Sequence, residues 1–77
     1  MISPDEQRKL MIELAWAKMP FGKYSGRFLS DIPEAYYSWF AQKGFPPGKL
    51  GQQMAQMNEI KINGQEKIFR EIRSMSK

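Results

Sequence analysis

The 77-residue chain contains no cysteine and no histidine. The first absence removes any disulfide framework and any thiolate zinc site; the second removes the commonest general base and the commonest metal ligand. The eight carboxylates do not fill that gap. Glu6, Asp31, Glu34 and Glu66 sit where helix caps or cap partners are expected, and Asp5 belongs in a helix first turn. Glu13, Glu59 and Glu71 stand singly on helix faces, so no paired-carboxylate constellation is left for hydrolysis or a two-metal site. The residues therefore argue against an enzyme and against a bound cofactor or metal. Long apolar runs are also missing: the longest are Leu10-Met11-Ile12 and Leu14-Ala15-Trp16-Ala17, far short of the roughly 20 residues of a membrane span. Met1-Ile2-Ser3-Pro4-Asp5-Glu6 has neither the basic nor the apolar region of a signal peptide, and the expected location is the cytoplasm.

Aromatic side chains, glycine, proline and positive charge are what the chain does have. Nine of its ten aromatics fall between Trp16 and Phe45, so burial rests heavily on that stretch. They crowd most closely with turn residues in Met19-Pro20-Phe21-Gly22-Lys23-Tyr24-Ser25-Gly26-Arg27-Phe28. Pro20 restricts Met19 to extended conformations, and Gly22 and Gly26 supply positive φ around Lys23-Tyr24-Ser25. Phe21 and Phe28 flank these glycines, which predicts a short two-stranded hairpin. Net charge is +4, all of it from residues 35–77, because the acids and bases of residues 1–34 cancel. That excess is compatible with an anionic partner through counterion release, but is first read as the ordinary solubility charge of a small domain.

Helices surround the hairpin. Ser3-Pro4-Asp5-Glu6 is a helix start with a capping box and proline at the first position. Leu10, Leu14 and Ala17 share a face from about Pro4 to Lys18, with Trp16 widening the stripe. Asp31 and Glu34 fit a second capping box, and Ile32, Tyr36, Trp39 and Phe40 recur at helical spacing as an aromatic face. Lys43-Gly44-Phe45 reads as a glycine stop with Gly44 left-handed and Phe45 folded back onto Phe40. After Pro46-Pro47-Gly48, the residues Leu50, Met54 and Met57 mark a third helix, in which Gly51 costs about 1 kcal/mol relative to alanine. Asn63 ends it and can cap a last helix with Glu66; there Ile68, Phe69, Ile72 and Met75 form the buried stripe and Lys67, Arg70, Glu71 and Arg73 face solvent. Residues 59–68 read either as helix–turn–helix or as an Asn63-Gly64 hairpin, and the helical spacing of Leu50, Met54 and Met57 favours the first. The expectation is an α+β fold, a small and mostly helical single domain over 1–77. It has an N-terminal helix, a β-hairpin at about 19–29, and helices at about 31–43, 48–62 and 64–75.

The run from Met19 to Arg27, with Asp31-Ile32-Pro33-Glu34, Tyr36 and Trp39-Phe40, resembles a small bacterial family. Lys43-Gly44-Phe45-Pro46-Pro47-Gly48-Lys49-Leu50-Gly51 and Glu59-Ile60-Lys61-Ile62-Asn63-Gly64 complete the likeness over about residues 19–64. That family carries the name "putative quorum-sensing-regulated virulence factor" and implies a regulated bacterial protein without a defined activity. Ser25 stands where the family usually has lysine, removing one charge from the hairpin tip. The Phe21–Gly26 and Tyr36–Phe40 pieces also look like the accessory C-terminal domain of some DEDD-type exonucleases, which implies a role beside nucleic-acid processing.

Two kinds of partner follow. Lys18, Lys23 and Arg27 around Tyr24 make a basic, aromatic tip suited to single-stranded or non-specific nucleic acid, with Tyr24 stacking on a base. Gly48 and Lys49 at the start of the third helix add a second anion site through free backbone N–H groups. Alternatively the chain docks on a protein or forms a homodimer through exposed aromatic or methionine surface, with Met54 and Met57 better read as core. No membrane partner is expected.

Overall fold

The structure, a computed structural model, describes residues 3–75. Helix α1 runs Pro4–Trp16, α2 Glu34–Lys43, α3 Lys49–Ile62 and α4 Lys67–Met75, with a 3-10 turn at Leu29–Asp31. Ser3 caps α1 as expected, its Oγ accepting from the Glu6 N–H at 3.2 Å, and Asp5 and Glu6 lie at the positive end of the helix dipole. The helix stops two residues before Lys18. Ala17 turns extended there and the chain enters the segment read as a hairpin.

No strand forms in that segment, which corrects the α+β expectation: among the described residues the domain is built from helices alone. The two legs do meet, at a single antiparallel bridge between Lys18 and Phe28. The Leu29 N–H donates to the Ala17 carbonyl at 2.9 Å and the Met19 N–H to the Arg27 carbonyl at 2.9 Å. Beyond Met19 pairing fails on both legs. Pro20 has no N–H to offer. Opposite, the Gly26 N–H also bonds the Met19 carbonyl at 2.8 Å with φ +85°, so that Gly26 and Arg27 together face one residue. That is a glycine bulge, which disrupts a ladder. At the other end α1 and the 3-10 turn begin at once. The turn residues were legible; the strands between them have no room.

Proline also moves the start of α2. Ile32 is held extended by Pro33, so the helix begins at Glu34 with Pro33 as its cap residue, and the Asp31–Glu34 capping box does not form. Ile32 therefore lies off the helix, though buried, and of the expected aromatic face Tyr36 and Phe40 pack partly buried against the core. Tyr37 is fully buried, whereas Trp39, expected in the core, is 53% exposed. The Tyr37 hydroxyl donates to the Leu29 carbonyl at 2.7 Å, tying α2 to the 3-10 turn. Gly44 ends α2 with φ +101° and its N–H on the Phe40 carbonyl, and Phe45 stacks on Phe40 with planes 8° apart, the contact expected there.

Residues 59–68 are helix–turn–helix. Asn63 closes α3 by sending both its backbone N–H and its Nδ2 to the Glu59 carbonyl, so its side chain is not available to cap α4, which begins at Lys67 rather than near 64. The core consists of Leu14, Ala15, Met19, Leu29, Ile32, Tyr37, Met54, Met57 and Phe69. First and last helices pack side by side, and α2 packs on α3.

Tyr37 makes the stability pH-dependent. Burial, and secondarily the neighbouring Tyr36, push its phenol well above the usual tyrosine range. The unfolded chain then releases this proton from about pH 10 while the folded chain keeps it, so stability falls as pH rises through that region, by up to about 1.4 kcal/mol per pH unit. Urea midpoints between about pH 9 and 11 should decline in the wild type and decline less in Tyr37→Phe. An equal decline would place the responsible group elsewhere.

Candidate functional site

Helix α4 divides two unlike surfaces. Phe69 points into the core; Arg70 and Arg73, three apart, lie on one flank of it, and Ile68, Ile72 and Met75 on the other. The basic flank faces the 3-10 turn and the end of α1. Arg73 is expected in solvent but is half-buried: its Nη1 donates to the Ala15 carbonyl at 2.6 Å and to Ser30 Oγ at 3.1 Å. Ala15 lies in the last turn of α1, where carbonyls lack helical partners and positive charge complements the dipole. The guanidinium also sits 4.1 Å from the Phe28 ring centre, while Lys18 Nζ lies 5.1 Å from that centre. Trp16, 39% exposed, meets Phe28 edge-to-face at 5.9 Å.

Two clefts open along this flank and share Arg70 and Arg73. One, about 440 Å³, is polar and lined by Lys61, Lys67 and the two arginines with Asp31, Glu66 and Glu71. Lys61 Nζ donates to the Ser30 carbonyl at 2.8 Å, and Glu66 Oε2 is enclosed without a hydrogen-bond partner. The acids there do not make a metal centre: among the described residues no three of His, Cys, Asp or Glu are grouped to hold an ion. The other cleft, about 390 Å³, is walled by Trp16 and Phe28.

The residues singled out from sequence are distributed unevenly around these clefts. Lys18 reaches the Phe28 ring. Lys23 Nζ lies 5.5 Å from the centre of the Tyr24 ring, and Tyr24 is half-buried edge-to-face on Tyr36 at 4.9 Å. Arg27 is exposed on the same segment. Gly48 has φ +84° before α3, and Lys49 is ion-paired with Glu13 of α1. Arg70, Arg73, Trp16 and Phe28 escaped sequence reasoning as a site. The available signal was the i, i+3 arginine pair on an otherwise amphipathic last helix. Lys77, a further cation in the sequence, lies outside the described residues.

The fold and these clefts define a small helical domain with one basic, aromatic-walled flank. Among the described residues no helix is long and apolar enough to cross a membrane. The family model described as "Putative quorum-sensing-regulated virulence factor" matches residues 7–72, and the chain belongs to that family. It is 51% identical over 59 residues to "Uncharacterized protein YpeB" of Escherichia coli strain K12, a match covering 75% of this chain and 82% of that protein. The protein of the same description from Escherichia coli O157:H7 matches to the same extent. No solved structure matches.

Proposed function

We propose that the domain is a non-catalytic module that binds single-stranded nucleic acid weakly along the basic flank of α4. The carrying observation is the junction of the two clefts at Arg70 and Arg73, one cationic and the other walled by Trp16 and Phe28. Such a junction joins the two ingredients of sequence-tolerant strand binding, a charged track for phosphates and an aromatic wall for a base. Lys18, Lys67 and Arg70 supply the exposed charge, while Arg73 and Lys61 are committed to Ser30 and its neighbourhood. Lys23 and Arg27 extend the positive surface onto the 17–28 segment. Tyr24 and Lys49 contribute less in this reading, since Tyr24 packs on Tyr36 and Lys49 faces Glu13. Asp31, Glu66 and Glu71 reduce the field of the polar cleft and keep the affinity low. The likeness to an accessory exonuclease domain agrees with this role.

A labelled oligonucleotide followed by fluorescence anisotropy at low salt tests the proposal. Binding should weaken with salt along a shallow slope, because only about two to four phosphates are neutralised. Lys18→Glu with Arg70→Glu should abolish it while stability changes by less than about 0.5 kcal/mol, as for surface positions generally. No anisotropy rise at about 100 µM protein overturns the proposal. Loss of binding in Lys23→Glu/Arg27→Glu but not in the α4 variant overturns the assignment to α4.

A further inference from the structure

The opposite flank of α4 belongs to an apolar face that the nucleic-acid reading does not use. Three depressions there converge on Met11 of α1. The first lies between α1 and α3, with Leu10 and Ile60; the second runs from Ile60 to Ile68 of α4; the third lies between α1 and α4, with Ile72 and Met75. Beside the hollows stand protruding side chains, for Ile68 is 44% exposed and Met75 79%. Apolar surface gathered in one place, rather than scattered singly, marks an interaction site. Methionines at its centre and edge let it adapt to an occupant.

We infer that this face is the contact between two copies of the chain in a weak two-fold dimer. The rim decides the occupant. Arg8 and Lys67 border the depressions together with Glu59 and Glu71, two charges of each sign. In an isologous contact a patch meets itself, so cations of one copy are brought over acids of the other. A partner or surface of one sign would instead meet like charge along half of the rim. Protruding Ile68 and Met75 beside hollows at Met11 and Ile60 are likewise complementary to a rotated copy. A standard interface takes about 800 Å² from each partner, about one seventh of the 5577 Å² surface of this domain. Six apolar side chains cover less than that, which makes the dimer weak and concentration-dependent. Neither Lys18 nor Arg70 lines these depressions, so the two proposals can fail separately.

Sedimentation equilibrium of the full chain over a concentration series is the test. Weight-average mass should rise from 9.0 kDa towards twice that value. Ile68→Glu with Met75→Glu should hold it at the monomer value, with an unchanged far-ultraviolet circular dichroism spectrum. Charge reversal gives a second line that does not touch the apolar residues. Arg8→Glu/Lys67→Glu and Glu59→Lys/Glu71→Lys proteins should each be monomeric alone and should dimerise when mixed. A wild type that stays monomeric up to about 1 mM, the weak edge of measurable association, overturns the inference. So does a dimer that survives Ile68→Glu/Met75→Glu, or a charge-reversed pair that fails to associate while the wild type does.

Discussion

Gly51→Ala should lower the thermal midpoint sharply, although alanine is the better helix former by about 1 kcal/mol. Gly51 is buried in the first turn of α3, and a Cβ there would lie 1.7 Å from the Pro46 carbonyl oxygen and 2.9 Å from its carbon. Both are backbone atoms, so no side-chain rotation can make room. Either α3 separates from the Phe45-Pro46 segment or the loop between α2 and α3 is rebuilt. The net loss should be about 3 kcal/mol or more. For a domain of this length that is a shift of at least about 12 °C in the thermal midpoint, out of a total stability of only about 4–12 kcal/mol. Gly48→Ala separates strain from crowding: Gly48 has φ +84° and ψ −161° but nothing within 4 Å of a new Cβ, so backbone strain of about 1–3 kcal/mol applies there without a clash. An unchanged midpoint in Gly51→Ala would show that the close approach at Pro46 does not exist.

Arg73→Met is the second change with a large expected cost. Methionine keeps the apolar stem against Phe28 but gives up the donors to Ala15 and Ser30. Hydrogen bonds from a charged group contribute about 1.5–3 kcal/mol each, and the partners left behind belong to two buried residues. A loss of about 3 kcal/mol in urea unfolding is expected, against less than about 0.5 kcal/mol for Arg70→Met, one turn away and exposed. A double-mutant cycle of Arg73→Met with Ser30→Ala should return a coupling of about 1 kcal/mol. If Arg73→Met and Arg70→Met unfold alike, Arg73 does not hold α4 to α1.

Those two positions also show what the sequence makes legible. Local signals were read well where the chemistry is local: Ser3 as a cap, Gly44 and Phe45 as a stop, Asn63 as the end of α3, Met54 and Met57 as core. Gly51 looked like a weak point because propensity counts only its own helix. The reason for glycine comes from Pro46, which lies against it in space. Arg73 was read as solvated for the same reason, since Ala15 and Ser30 are 58 and 43 residues away in the chain. The hairpin failed differently. Pro20, Gly22 and Gly26 do bend the chain back on itself, but a reversal and a pair of strands carry the same punctuation. Of the residues singled out from sequence, Lys18 meets the Phe28 ring that walls one cleft. That Trp16, Arg70 and Arg73 line the same cleft is not legible without knowing that α4 returns to α1.

That return bears on how the chain is made. Because α1 packs on α4, the first helix of this domain to be made waits for the last. Translation proceeds at about 5–20 residues per second, so the interval between completing Trp16 and completing Met75 is several seconds. Isolated helices relax within about a microsecond, and a 13-residue segment alone is marginal in water. Until α4 is made, Leu14 and Ala15 have nothing to be buried against on the α4 side. The Ala15 carbonyl has no Arg73 to meet it until the last turn of α4 has been added. The nascent domain is thus exposed to chaperones and proteases until α4 has emerged, and only then can it close.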